Sequence, residues 1–384
     1  MNGADTTYLG LPLDFWYSGP LGLPFHLWTL VFTILGLMVG SFLNVVIHRM
    51  PLDQSVVTPS SHCPKCGYKI PLRHNLPIIS WLLLRGKCAN CGAAISPRYL
   101  AVEALTGAVF LVTWLTFGPT EPLMAAALCV LFAGFIAGTF IDFEHLMIPD
   151  EITIGGIVMG FLLSAAAPAL QGAPNIPAAM KSSALGILVG GGLVYGILRL
   201  GKLMFGRQKV ELAENSPVIF HEGGVVLPDG EMPYEELFYR KSDAVVLHAK
   251  RVELADRCYI DQPVRLELLR EPPVLRIGEE TLPAEEQPWM SVITDRLTLP
   301  REAMGFGDVK FMAAVGAFLG WQATVFSLAA SSVIGSLVAV TMIVLRRQNW
   351  SGRLGYVPYL AAAATIWVFG GQTLVQRWFA AQGY

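Results

Sequence analysis

Two aspartates stand at the edges of apolar runs in this 384-residue chain. Asp142 closes the run 123–141 and is followed by Ile148-Pro149-Asp150. Asp308 lies in Gly305-Phe306-Gly307-Asp308-Val309-Lys310 and opens a run that continues to Leu319. A carboxylate at a membrane boundary is costly unless it is paired, hydrated or used. Two such groups from distant parts of a chain can share one proton, one acting as base on a water while the other protonates a carbonyl. The pair therefore points to aspartic peptide hydrolysis, whereas either acid alone would read as a solvated boundary residue.

A second set of reactive side chains is Cys63-Pro64-Lys65-Cys66-Gly67 and Cys88-Ala89-Asn90-Cys91-Gly92. Two CxxC pairs at this separation can set four thiolates tetrahedrally around zinc. The glycine after each pair permits the tight turn that aims backbone amides at the sulfurs. Disulfides are the alternative, and a segment facing a reducing cytoplasm disfavours them. Four thiolates leave no open position for water, so such a zinc would be structural. Cys129, inside an apolar run, and Cys258, in a polar context, read as ordinary residues. His221-Glu222-Gly223-Gly224-Val225 lacks the second histidine that a metalloprotease HExxH helix needs.

The elements that must carry these groups follow from composition. The chain is 53% hydrophobic and 15% charged, with a mean hydropathy of +0.51. Soluble globular chains carry about a quarter charged residues, so the deficit favours membrane spans. A net charge of −2 excludes a generally basic nucleic-acid binder. Residues 1–25 have neither the basic start nor the small-residue cleavage site of a signal peptide and read as a short amphipathic lead-in. Runs long enough to approach a bilayer crossing are 26–48, 99–118, 123–141, 152–169, 182–205, 308–320, 323–345 and 356–375. Eight spans require the short sixth run to cross by extending into a turn at Gly320-Trp321. The glycines of 186–201 suit close helix packing in lipid. Arg49, Lys65, Lys69, Arg73, Arg85, Lys87 and Arg98 place the segment after the first span on the cytoplasmic side. Arg199, Lys202, Arg207 and Lys209 do the same after the fifth span, and Arg346, Arg347 and Arg353 after the seventh. Both termini then fall outside, and Asp142 and Asp308 share the cytoplasmic face.

Between residues 206 and 302 hydropathy falls and acids exceed bases. Alternating runs at Ala244-Val245-Val246-Leu247-His248, Arg251-Val252-Glu253-Leu254 and Val264-Arg265-Leu266-Glu267-Leu268 predict half-buried strands. Gly223-Gly224, Pro228-Asp229-Gly230 and Pro272-Pro273 supply turns. A β-rich cytoplasmic domain is expected there, with a less ordered end near 278–287; its acidic excess reads as a solvated face, with the surface for an unidentified partner as the alternative. The organisation read from the chain is a lead-in and first helix (1–48), a zinc-binding segment (49–98), helices carrying Asp142 (99–205), the inserted domain (206–302) and helices carrying Asp308 (303–384).

In order, the chain contains Gly40-Ser41-Phe42-Leu43-Asn44-Val45 with His48-Arg49, both CxxC pairs, Pro97-Arg98-Tyr99 with Glu103, Asp142 with Ile148-Pro149-Asp150, and the Gly305–Lys310 stretch. This series resembles the type IV prepilin peptidases, the bifunctional leader peptidase/N-methyltransferases of type IV pili and type II secretion, over roughly 26–205 and 303–375. The resemblance implies a multi-pass enzyme of the bacterial inner membrane that cuts prepilin or pseudopilin leaders after glycine at the cytoplasmic face. It implies that Asp142 and Asp308 are catalytic. It also implies N-methylation of the new terminus, usually Phe, from S-adenosylmethionine.

Gly305 and Gly307 are expected to let the backbone approach bound peptide. Pro149 is expected to stop the helix after the first acid, and Asp150 to cap the next. Glu144 is expected to be a solvated interface residue, and Lys310 an anchor to lipid phosphates. The insertion 206–302 is long for the family. Gly355-Tyr356-Val357-Pro358-Tyr359-Leu360 resembles its Gly-Pro-Phe type of segment with Val357 where glycine is usual, a departure that bears on the substrate contacts expected there and not on the chemistry. A peptidase without methyltransferase activity, a proton-coupled transporter using the two acids, and a non-enzymatic membrane scaffold are the competing readings.

Overall fold

The computed structural model describes residues 7–8, 11–12, 19–205, 207–228, 230–234, 237–238, 243–300, 305–345 and 355–381. Most of the expected lead-in, and the basic residues Arg346, Arg347 and Arg353, lie outside them. The chain divides into two compact units, Met1–Tyr195 with Phe306–Tyr384, and Gly196–Gly305.

The first unit begins with a short antiparallel ladder of β1 (Thr7–Tyr8) and β2 (Leu11–Pro12). The helices that follow are α1 (Phe25–Arg49), the short α2 (Ile79–Leu83), α3 (Pro97–Phe117), α4 (Pro122–His145), α5 (Asp150–Ala166) and α6 (Ile176–Phe205). After the inserted unit come α7 (Phe306–Val344), α8 (Val357–Ile366) and α9 (Gln372–Ala381). Among the described residues, five helices are long and apolar enough to cross a membrane: Phe25–Leu52, Pro97–Phe117, Pro122–His145, Ile176–Gly201 and Phe306–Val344. These make the chain a multi-pass membrane protein. Their interior is packed tightly, with Trp114 of α3 stacked between Phe25 and Phe32 of α1.

The longest helix is not one rod. Gly320 has φ +79° and ψ 176°, outside the helical region. A methyl group on Gly190 of α6 would overlap the Met312 carbonyl and also lie 3.1 Å from Cγ2 of Thr324. In a straight helix those two residues would be about 18 Å apart. The chain therefore doubles back at Gly320, at the turn expected from the sequence, and α7 has two limbs. Such a break frees main-chain carbonyls that lipid cannot satisfy. Side chains replace the lost donors. Gln171 Nε2 donates to the carbonyls of Ala317 (2.8 Å) and Phe318 (3.0 Å), while Ser164 and Ser183 donate to Ala317. Gly186 and Gly190 let α6 lie backbone to backbone on this turn, whereas Gly192 and Gly196 of the same stretch face nothing within 4 Å.

The inserted unit is an eight-stranded antiparallel sheet in the order β5-β4-β3-β10-β6-β7-β8-β9. Its strands are β3 (Arg207–His221), β4 (Gly224–Leu227), β5 (Gly230–Pro233), β6 (Val245–Glu253), β7 (Cys258–Glu267), β8 (Val274–Ile277), β9 (Glu280–Pro283) and β10 (Trp289–Pro300). The first two runs read from the sequence are one strand, β6. The end expected to be poorly ordered is instead the β8–β9 hairpin followed by a short turn of helix at Ala284–Glu286. Buried Val274, Leu275 and Ile277 hold it to the core.

A bulge on β10 between Thr294 and Arg296 changes which residues face inward. Met290, Val292 and Thr294 are buried before it, and Leu297 and Leu299 after it. The sheet curls enough that Phe220 on β3 and Leu275 on β8 line one cavity of about 230 Å³.

The Gly320 turn yields a stability prediction. Gln171→Leu leaves the Phe318 carbonyl without its side-chain donor, while the serines still serve Ala317, and should cost about 1–3 kcal/mol. Thermal unfolding in detergent should show a clear drop in midpoint; an unchanged midpoint would mean that the serines suffice.

Candidate active site and metal centre

Asp142 is placed by the last turn of α4. The helix ends at Leu146, a non-glycine residue in the left-handed conformation whose amide bonds back to the Asp142 carbonyl. The stop thus comes three residues before Pro149, which instead precedes the first residue of α5. The Asp142 side chain is 5% exposed. Its Oδ2 accepts the Val357 amide at 3.0 Å, a donor left unsatisfied at the start of α8 because no earlier turn reaches it. Gly355 lies so close that a methyl there would overlap the Asp142 carboxylate, 2.7 Å from Cγ. Tyr359, one turn into α8, is near enough to interact electrostatically with the acid. The Gly355–Pro358 stretch, expected to touch substrate, therefore cradles Asp142 itself. Pro358 at the second position of a helix was the available sequence signal.

Asp308 is the third residue of α7 and is 8% exposed. Two contacts bring it to the same end of the bundle as Asp142. Gly307 abuts Ile148, in the turn between α4 and α5, with its methyl position 3.4 Å from Ile148 Cδ1. Lys310 Nζ pairs with Asp150 Oδ1 and lies 5.2 Å from the Phe306 ring centroid. Lys310 is thus a strut to the turn after the first acid, not a lipid anchor. Asp150 is the first residue of α5 and makes no capping bond. Glu144 is likewise committed: it pairs with Arg98 at the start of α3. Gly305 directly precedes α7, and Gly307, inside its first turn, does not have positive φ.

The cysteines form twin knuckles. Cys63 N–H bonds to Tyr68 O and Gly67 N–H to Cys63 O; Cys88 to Ala93 and Gly92 to Cys88 repeat the pattern. Gly67 and Gly92 have φ +69° and +70°, the left-handed turn that glycine permits. All four sulfurs lie within 4.8 Å of one another, with Cys63–Cys91 at 3.8 Å and Cys66–Cys88 at 4.0 Å. These separations are too long for disulfides. They match the roughly 3.8 Å between thiolates placed about 2.3 Å from one tetrahedral ion. Backbone amides of Cys91 and Asn90 pull the Cys88 thiol down to about 6, and the Tyr68 amide and the Asn90 side chain lower Cys66 as well. The donor set fits a closed structural metal site.

Comparison with known proteins bears on the family of the chain. Residues 34–117 match the Bacterial Peptidase A24 N-terminal domain, and residues 289–340 match the Type IV leader peptidase family. A prepilin leader peptidase/N-methyltransferase of Aeromonas salmonicida is 28% identical over 93% of this chain and 95% of its own length. One from Dichelobacter nodosus is 36% identical over 46% of this chain and 67% of its own. One from Myxococcus xanthus is 44% identical over 38% and 42%. No solved structure matches the chain. The long apolar helices and the two buried aspartates describe a multi-pass membrane protein with carboxylates inside its helix bundle. The chain belongs to the type IV prepilin leader peptidase family.

Two outcomes follow from this geometry. Gly355→Ala should lower turnover at least about tenfold by displacing the Asp142 carboxylate, while the metal content stays at its wild-type level; peptide cleavage and elemental analysis check both. Because a bound ion requires deprotonated thiolates, metal should be retained at neutral pH and its affinity should fall as the solution is acidified and protons compete for the four sulfurs. Metal loss followed with a chromogenic chelator during acidification tests it.

Proposed function

We propose that this chain is an aspartic endopeptidase of the bacterial inner membrane that cleaves the leaders of type IV prepilins or type II secretion pseudopilins after glycine, at the cytoplasmic face. It also N-methylates the new terminus. The observation that carries the reading is the convergence of two buried carboxylates, Asp142 and Asp308, at one end of the helix bundle, in a chain of the prepilin leader peptidase family.

In this mechanism the acids hold one proton between them. One takes a proton from water as it attacks the scissile carbonyl, and the other protonates the carbonyl oxygen. The Val357 amide fixes one oxygen of Asp142, and among the described residues the other accepts no hydrogen bond from the protein. The acid therefore keeps a defined rotamer with one oxygen available to water. Gly305, with no Cβ, lets substrate backbone approach beside Asp308, while Gly307 packs against Ile148 of the α4–α5 turn. The substrate's apolar helix stays in the bilayer, so the scissile bond rests at the depth of the acids.

The eight-span topology rests on counting the two limbs of α7 separately and on α5 and α8–α9 crossing as well. Zinc in the four-cysteine site braces the cytoplasmic segment 49–98. S-adenosylmethionine supplies the methyl group when bound, and no residue is assigned to it. The transporter reading finds less support, since both acids sit at helix ends instead of mid-bundle. The scaffold reading leaves the Asp142 cradle without a purpose.

Asp142→Asn and Asp308→Asn test the pair, because the amide keeps the shape and removes the titrating group. Each should reduce leader cleavage in membranes by at least about a thousandfold with expression and zinc content preserved. Near-normal cleavage by either variant would falsify the assignment. The pH dependence of wild-type cleavage should be bell-shaped, with both limbs belonging to the pair.

A further inference from the structure

A second polar centre lies apart from the acid pair, where α1 crosses α3. Small residues set the contact: a methyl on Gly36 would lie 3.0 Å from Gly107 Cα, and one on Gly40 2.8 Å from Glu103 Cα. One turn beyond Gly40, Asn44 Nδ2 donates to Tyr99 O at 3.1 Å, one turn before Glu103 on the antiparallel helix. Asn44 and Glu103 are thus diagonal neighbours across a backbone-to-backbone crossing.

Asn44 is 2% exposed. Its Nδ2 also contacts Gly40 O at 3.3 Å. Two carbonyl acceptors fix the amide orientation, because only its NH₂ end can serve them. That leaves Oδ1 buried with no hydrogen-bond donor among the described residues, a condition native interiors rarely tolerate.

Glu103 is also buried, and its only hydrogen-bond partner among the described residues is the Ile78 amide at 2.7 Å. Arg98 nearby is paired with Glu144 instead. Ile78 holds φ +61°, a conformation that a β-branched residue seldom adopts. Such strain persists only where surrounding contacts impose it, and here the Glu103 bond presses this peptide onto the helix pair. Arg98 keeps a buried Nε without a partner among the described residues, but Asn44 Oδ1 and the Glu103 carboxylate are themselves acceptors only. Their chemical complement is a cation bearing several N–H groups.

We propose that Asn44 Oδ1 and the Glu103 carboxylate receive the free α-ammonium of the peptide that is methylated. Asn44 accepts one N–H, and Glu103 opposes the charge and then takes the proton that the nitrogen must give up before its lone pair can accept the methyl group. An uncleaved leader peptide has an amide nitrogen at that position, with one proton at most and no charge. The site therefore admits the product of cleavage and rejects its precursor, which orders methylation after hydrolysis. This inference rests on the methyltransferase reading above.

The test uses the full-length protein in lipid nanodiscs and calorimetric titration with two probes, a synthetic peptide beginning with a free phenylalanine amine and the same peptide N-acetylated. Wild type should bind the free amine at least about tenfold more tightly. Glu103→Gln keeps an oxygen for the Ile78 amide but removes the charge, and Asn44→Leu removes the buried acceptor. Each should bring the ratio to within about twofold. Melting temperature and zinc content report whether each variant folds, and if Asn44→Leu does not, Glu103→Gln decides alone. Equal binding of the two peptides by wild type overturns the proposal, as does discrimination that survives in Glu103→Gln. Methyl transfer to the free peptide, measured separately, tests the underlying reading. Discrimination without methylation removes the methyltransferase and keeps the amine site, whereas methylation without discrimination removes the amine site alone.

Discussion

Burying a carboxylate in an apolar helix bundle requires a compensating donor, and for Asp142 that donor is the first main-chain amide of α8. A helix start offers unpaired N–H groups and the positive end of the helix dipole, so the acid and the helix satisfy one another. The arrangement works only if the chain before α8 passes directly over the carboxylate, which is why no side chain fits at Gly355. Tyr356 then ties this corner to α7 through its hydroxyl, 2.9 Å from Ser331 Oγ and 3.1 Å from Ser332 Oγ. Those serines lie on the returning limb of the helix whose outgoing limb carries Asp308. The two acids are therefore joined through one continuous piece of packed structure, with the Gly320 turn at its far end.

The cysteine segment has its own set of attachments. Arg98 binds Glu144, two residues from Asp142, and Ile78 binds Glu103 in the middle of the α1–α3 contact. The Ile78 bond gives the loop a fixed point on α3, and the Arg98 pair ties the start of α3, where the loop ends, to α4. The metal site adds closure between its two knuckles, and its geometry depends on backbone amides already aimed at the sulfurs.

Local chemistry was readable from the sequence. The CxxC-Gly pairs needed no partner elsewhere to announce their turns, and both turns have the expected left-handed glycine. The alternation around Val264-Arg265-Leu266 was likewise sufficient for strand β7. Contacts between distant residues were not readable. Lys310 and Asp150 are separated by 160 positions, and nothing in either neighbourhood shows that they meet. The same holds for Val357 and Asp142, 215 apart. The segment 278–287 looked loose because its polar turn residues dominate a short window, while the apolar residues that fix it lie just before it on β8. Asp150 looked like a cap because an acid often precedes a helix, yet here the lysine outcompetes the free amides.

The pairing of β3 with β10 runs to Arg207 opposite Pro300, and this bears on how the protein is assembled. An excursion of nearly a hundred residues between two membrane helices would ordinarily carry an entropic charge for bringing its ends together, growing with the logarithm of its length. Here the ends are adjacent strands of one sheet. Once that sheet has formed, the helices before and after it are joined by a tether of only a few residues. A large module can thus occupy this position in the chain with little more effect on the closure of the helical bundle than a tight connection would have.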